Sequence, residues 1–307
     1  MQIGSREVAA RIAGEIAAGR WPEGESVPGV RVGAREMGCS PGTVARAYAA
    51  LRDARILIGR PRSRFVVAAD GQAIAGRWQT GIGALRLAGS DDPALDALIR
   101  EIGGQVSVTS GPRGSVNGIV ELARGTADAA AVHLLDAATG RWNDHLARGA
   151  LSGEPVRLVH LWTREQVLVV PSGNPEGIRG VADLSGRRIV WRGPGTGSRL
   201  LLEHLMLREG EQPRPELGVV AGSHLGVAAA VAGGVADVGL AVRAVAEAVG
   251  LESVPVISEP FELALGAASE RVLEPLLDCL ARSDFQRRLK ALPGYDLSRC
   301  GERRTAA

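Results

Sequence analysis

Lysine is all but missing from this chain: Lys290 is the only one in 307 residues, so nearly all of its 36 basic side chains are arginine. That argues against two kinds of phosphate chemistry. A Walker-type phosphate loop ends in lysine followed by serine or threonine. A pyridoxal-phosphate enzyme needs a Schiff-base lysine, and Lys290 stands in a C-terminal segment that reads as a structural helix. Aromatic residues are only 3% of the chain, which disfavours a pocket built on ring stacking. Cysteines are three, Cys39, Cys279 and Cys300, far apart and odd in number, so neither a disulfide framework nor a zinc site is expected. No charged-then-apolar leader opens the chain, and no apolar run reaches spanning length. The expectation is a cytoplasmic protein with no membrane partner.

What is present is unevenly spread. Net charge is +2, yet residues 1–67 hold 11 arginines against 6 acidic residues, a surplus of five bases, which leaves the remainder about three acids in excess. A basic module on a mildly acidic body suits nucleic-acid contact at one end. Within that module Val8, Ile12 and Ile16 recur at helical spacing, and 30–37 suits a short helix stopped by Gly38. Ser40 is placed to cap a helix with Pro41 at its first position, and Val44, Tyr48 and Leu51 form its apolar stripe. "ILIGRPRSRFVV" predicts two short strands around an arginine-rich tip. Residues 68–83 hold four glycines without sustained periodicity, and predict a linker, with a helix left open for its middle.

From residue 84 strand-like and helix-like stretches alternate, which predicts parallel sheets with helices on both faces. "ELARGTADAAAVHLL" and "AVAGGVADVGLAV" run through the same helix, glycine, Ala-Asp, strand order, with Asp128 and Asp237 in matching places, and suggest two similar lobes. The loop "RGPGTGSR" packs Gly193, Gly195, Thr196 and Gly197 ahead of Ser198 and an apolar helix. It lacks the Walker lysine, and Ser198 stands where a dinucleotide fingerprint needs its third glycine. A glycine loop leaves backbone N–H groups uncovered, and the helix behind it adds its positive end, so an anion is the expected guest. Ser90, Ser110 with Ser115, and Ser223 with His224 repeat the construction at three more strand ends. In open α/β sheets those ends line the ligand crevice. His133 at a strand exit and Arg243 after "DVGLAV" are further candidates. Asp91, beside Ser90, fits poorly because a carboxylate repels an anion: it must turn outward, or the ligand must differ.

Two resemblances sharpen these expectations. The motifs "SVPGVR", the turn at Gly38–Ser40, "TVARAYAAL" and the wing ending at Phe65 make residues 1–67 resemble the winged helix-turn-helix of GntR-family transcription regulators. The resemblance implies that Ser40, Thr43 and Arg46 face the major groove, that Arg31 and Arg35 hold phosphates, and that Arg62 and Arg64 on the wing reach the backbone or minor groove. From "AGSDDPALDAL" through "GPGTGSRLLLEHL" to "LPGYD", residues 84–307 resemble the type II periplasmic-binding-protein-like domain, in the version joined to helix-turn-helix regulators. That implies an α/β, two-lobed fold and an effector such as molybdate or tungstate. Ligand contacts are then expected from Ser90, Ser115, His133, Gly195, Thr196, Gly197, Ser198, Ser223, His224 and Arg243. The expected whole is a homodimeric one-component regulator of double-stranded DNA, with no catalytic residue, metal or cofactor. The alternatives are a sensor of an organic acid or phosphorylated metabolite, and an enzyme of molybdenum-cofactor metabolism.

Overall fold

The computed structural model describes residues 3–59, 64–79, 85–103, 106–109, 113–144, 156–265 and 270–306. The chain divides into two compact units, residues 1–85 with 102–107, and residues 86–101 with 108–307.

The smaller unit begins with helices α1 (Ser5–Ala17), α2 (Val30–Met37) and α3 (Pro41–Asp53). A two-stranded antiparallel ribbon follows, β1 (Leu57–Ile58) and β2 (Val66–Val67). As expected, α2 stops at a left-handed Gly38, and the Ser40 hydroxyl caps α3 by accepting from the Thr43 N–H at 3.1 Å. Val8, Ile12, Ile16, Val44, Leu51 and Leu57 are fully buried in one core. Tyr48 joins them, with its hydroxyl donated to the Pro28 carbonyl (2.6 Å) and its ring 5.2 Å from that of Phe65. The middle of the stretch expected as a linker takes the helix left open for it, α4 (Gly71–Gln79), whose Ile74 and Ala75 are buried in this same core. Its glycine content misleads: Gly71 packs so tightly that a Cβ would lie 2.5 Å from the Ile56 carbonyl oxygen.

From Leu85 the chain runs β3 (Leu85–Gly89), α5 (Pro93–Ile102), β4 (Val106–Val108), α6 (Ser115–Ala123) and β5 (Ala129–Val132), then the long β6 (Arg157–Val170), all in the larger unit except Leu85, Ile102 and most of β4. The pattern repeats as β7 (Ile189–Arg192), α7 (Gly197–Arg208), β8 (Val219–Ala221), α8 (His224–Ala232) and β9 (Val238–Val242). After α9 (Arg243–Ala248) come the long β10 (Glu252–Leu265), α10 (Glu270–Ala281), α11 (Ser283–Lys290), β11 (Tyr295–Asp296) and β12 (Arg303–Thr305).

The parallel expectation is half met. β3 pairs β5 in parallel, and so do β9, β7 and β8. Between these groups β10 and β6 run antiparallel to each other over their whole length and antiparallel to β5 and β9. β10 escapes the sequence pattern because it carries Pro255 and Pro260, which strand interiors avoid; the register shifts just after Pro255, while Pro260 stays in register with Thr163. Along β6, Val167 and Val169 enter one apolar cluster while Leu168 and Val170 enter another, so the sheet is covered on both faces.

The repeated Asp is a clamp. Asp128 accepts from the Arg86 backbone N–H at 2.8 Å and from its guanidinium at 3.0 and 2.6 Å. Asp237 does the same for Arg188, at 2.9, 3.0 and 2.5 Å. Each pins the start of a parallel strand to its neighbour. Near the C-terminus, buried Glu262 takes Asn143 Nδ2 (2.9 Å) and Arg304 Nη2 (2.7 Å), with His160 Nδ1 3.8 Å away. Burial alone would raise this carboxyl, but the nearby His160 ring and the hydrogen bonds donated by Arg304 and Asn143 outweigh it and hold the group down to about 2. In the unfolded chain a glutamate takes its proton near about 4.3. Its contribution is therefore fully present above that pH and is lost as pH falls toward 2. Urea denaturation should show the wild type losing stability from pH 5 to 2.5 more steeply than Glu262→Gln; equal slopes would remove Glu262 from the acid transition.

Candidate functional site

The site is built where strands of the larger unit end and helices begin. Ser90 follows β3 and Ser115 opens α6; their hydroxyls lie 2.7 Å apart, both buried, and Ser115 Oγ accepts the His133 N–H at 3.2 Å. The glycine loop reaches this point from the other lobe. Val116 N–H donates to the Gly195 carbonyl (3.1 Å), and a Cβ at Gly114 would stand 2.7 Å from that same oxygen. At Gly197 a Cβ would fall 2.4 Å from the His133 carbonyl oxygen, so only glycine lets α7 start against this strand end. The starts of α6 and α7 thus meet, as the serine pattern predicts.

Between them runs a buried polar network. Arg164, with no solvent exposure, sits on β6 directly opposite Glu259 of β10. Its Nε donates to Glu259 Oε1 (2.9 Å) and its Nη1 to Asp92 Oδ2 (2.5 Å), while its guanidinium carbon lies 4.3 Å from the centre of the Phe261 ring. Asp92 also caps α5 through the Ala94 and Leu95 N–H groups and receives the Tyr295 hydroxyl at 2.8 Å. Gln166 Nε2 donates to Glu259 Oε1 (2.8 Å) and Ser198 Oγ (3.2 Å), and His133 Nδ1 lies 3.0 Å from Glu259 Oε1. Asp91 turns inward: it pairs with Arg192 Nη2 and accepts the His224 backbone N–H at 3.1 Å, at the start of α8.

The electrostatics follow from burial against pairing. Burial pushes the His133 imidazole down, partly opposed by Glu259. Burial and the Arg192 guanidinium push the His224 imidazole well below its usual range. Burial opposes the charge on Arg164, but Glu259 and Asp92 outweigh it and raise the guanidinium. Burial likewise opposes ionisation of Asp91, and His224 with Arg192 reverses the balance to hold it low. Several buried polar atoms here have no partner: Arg164 Nη2, Gln166 Oε1, Arg192 Nε, Glu259 Oε2 and both His224 ring nitrogens.

Of the residues singled out from sequence, Ser90, Ser115, His133, Gly195, Gly197, Ser198 and His224 come together here. Thr196 is buried beside them, its hydroxyl donated to the Gly193 carbonyl (2.8 Å). Ser223 is occupied in capping α8 through the Gly226 N–H (3.0 Å). Arg243 stands apart, about two-fifths exposed, paired with Glu165 (3.1 Å) and Glu247 (2.7 Å). Ser110 and Arg62 lie outside the described residues. In the smaller unit Arg31, Arg35, Arg46 and Arg64 are exposed, whereas Thr43 is buried against Ser40, Oγ1 to Oγ 2.9 Å. The sequence reading overlooks Arg164, Gln166, Arg192 and Glu259, although charged residues inside otherwise apolar strands were a usable signal.

A pocket of about 690 Å³ opens elsewhere, around the amino-terminal ends of β7 and β8, with Ile189, Trp191, Met206, Arg214, Leu217 and Val219 in its wall. It contains none of the residues singled out, and the buried network holds the convergent chemistry. Among the described residues no group of three His, Cys, Asp or Glu could hold a metal ion, and no helix is long and apolar enough to cross a membrane.

A fold of two parallel strand groups joined through long antiparallel strands, with polar side chains meeting at the helix starts, defines a ligand-binding class of protein. The PBP superfamily domain matches residues 97–280, more than half of the chain, and the chain belongs to that superfamily. The Bacillus subtilis (strain 168) protein named "Uncharacterized protein YvgK" is 30% identical over 194 residues, 62% of this chain and 63% of its own length. The chain therefore spans less than two thirds of that relative. Among solved structures, a hydrogen-peroxide-bound cysteine-to-serine mutant of Corynebacterium glutamicum OxyR is 13% identical, with 95% of each chain covered and a TM-score of 0.49. PhnD1 from Prochlorococcus marinus with methylphosphonate is 16% identical, covering 69% of this chain and 91% of its own, with a TM-score of 0.47.

Removing Arg164 leaves two buried carboxylates without their cation, a loss of about 3–5 kcal/mol for such pairs. Guanidinium titration of Arg164→Met should show a loss of this size, against less than about 1 kcal/mol for the exposed pairs lost in Arg243→Ala. Similar midpoints for the two variants would mean that Arg164 does not hold the lobes' charges.

Proposed function

We propose that this chain is a one-component transcription regulator whose PBP-superfamily domain senses a small oxyanion. The carrying observation is the set of buried, partnerless polar atoms on β6, β7, β10 and at the start of α8, beside the hydroxyls of Ser90, Ser115 and Ser198. Unmade buried hydrogen bonds cost about 1–3 kcal/mol each, and a small polar guest between the lobes offsets that cost. Ser90, Ser115, Ser198 and the backbone around Gly195–Gly197 supply neutral donors, which suit molybdate or tungstate, the effector implied by the family resemblance. Ligand closure acts on DNA only through a difference in affinity between two states of the protein.

The DNA-binding half of the reading rests on the sequence. The order of helices, the turn at Gly38–Ser40 and the surplus of arginine fit a winged helix-turn-helix that binds a two-fold operator as a homodimer, with Arg46 at the base edges and Arg31, Arg35, Arg62 and Arg64 on the backbone. We assign the chain no reaction of its own.

One observation favours a second ligand class. Gln166 Oε1 and Glu259 Oε2 are buried acceptors without a donor. A bare oxyanion cannot satisfy them, whereas a protonated phosphate group or an organic acid with a hydroxyl or amino group can.

Native mass spectrometry of the purified protein, challenged with molybdate, tungstate, sulfate and phosphate, should show one species retained on a dimer. A monomer that retains none would overturn the sensor reading. With an operator selected from random duplexes, Arg46→Ala should lose about tenfold or more in DNA affinity, within the range for one base-edge contact, and keep ligand affinity. Equal operator affinity would remove Arg46 from the reading helix.

A further inference from the structure

We propose that Asp91 is a tethered internal anion, occupying the seat that a ligand's negative group must take at the start of α8, and that it thereby sets which anions the site admits. This deepens the oxyanion reading above and rests on it for the identity of the ligand.

The seat has the parts of an anion site. The N–H of His224 begins a nine-residue helix, where the helix dipole favours negative charge. Arg192, almost fully buried, supplies the guanidinium; its Nη2 bridges Asp91 Oδ1 and the Gly222 carbonyl (3.3 Å), while its Nε has no partner. The His224 ring is buried in the same cluster with neither nitrogen bonded, close enough to feel Arg192, Asp91, Arg164 and His133. In this seat the protein has placed its own carboxylate, one oxygen on the helix N–H and the other on the guanidinium. The Asp91 side chain keeps about 15% exposure, against 2% for Arg192, so the anion in the seat is the part solvent can reach.

A tethered carboxylate competes at a high effective concentration, and any free anion must displace it. The three carboxylates Asp91, Asp92 and Glu259 already outnumber the two guanidiniums Arg164 and Arg192 that pair with them. A dianion entering beside an undisplaced Asp91 would face net repulsion. Dropping the Asp91 charge leaves Arg192 buried without its partner, a state that an added anion relieves.

The test compares wild type with Asp91→Ala and Asp91→Ser, at matched ionic strength and without DNA. Thermal melts are taken against sodium formate and sodium sulfate, with calorimetric titration of sulfate and molybdate. Both variants should melt below wild type, recover several degrees with formate or sulfate while wild type does not, and bind sulfate and molybdate at least tenfold more tightly than wild type. Should either variant fail to fold without anion, recovery of folded protein in sulfate is the same rescue. Variants that stay indifferent to both anions, or that bind them no better than wild type, would overturn the proposal. Failure of the sensor reading looks different: wild type then binds no oxyanion and releases no DNA in response to one, while the Asp91 variants still gain sulfate binding.

Discussion

A guanidinium cannot be left alone in an apolar interior, and much of the larger unit is arranged around that constraint. Arg164 is fully buried at the middle of the longest strand pair. Its charge is met by Glu259 across the ladder, by Asp92 at the start of α5 and by the ring of Phe261. Asp92 in turn takes the Tyr295 hydroxyl, which draws β11 into the same system. One cation therefore ties the first lobe, both crossing strands and the C-terminal segment. Buried ion pairs add little net stability compared with apolar packing, but removing one partner is costly. Such a pair holds the arrangement fixed more than it deepens the fold.

How much of this was legible in the sequence depends on where each residue's partner lies. The repeated Asp128 and Asp237 could be matched by pattern because each acts locally, on the strand next to its own. The serines at helix starts could be located because capping is also local, as Ser40 and Ser223 illustrate. Arg164 and Glu259 are 95 positions apart, and their meeting depends on the register between two strands, one of which holds two prolines. Single-chain patterning has no access to that register. The glycine-rich stretch at 68–83 stays open between linker and helix for another reason: close packing selects glycine at Gly71, and the same residue type ordinarily signals a loop.

The two lobes share a plan but not a site. Both use an Arg–Asp clamp at the strand starts, and both raise helices from the opposite ends. At those opposite ends the chemistry diverges. After β3 the chain offers Ser90, Asp91 and Asp92, whereas β7 ends in Arg192 and a glycine loop. Scaffold residues recur where the same strand pairing recurs, and the divergence sits where one lobe faces the other. A charge on one side then selects its opposite across the gap, as Asp91 and Arg192 do.

That asymmetry bears on what kind of guest the network can hold. Donors alone would indicate a bare oxyanion, and the serines taken by themselves point there. The paired charges say more. Arg164 is already committed to two carboxylates, and Arg192 to one, so neither is a free countercharge for a dianion. What stays available is directional: an Nη2 of Arg164, the Nε of Arg192, an amide oxygen, a carboxylate oxygen and the two ring nitrogens of His224. These form a mixed set of donors and acceptors in which geometry outranks net charge. A ligand fitting this set is recognised by where its hydrogens and lone pairs lie. Binding is then sensitive to single-atom changes in the guest, because each mismatch leaves a buried group unmade.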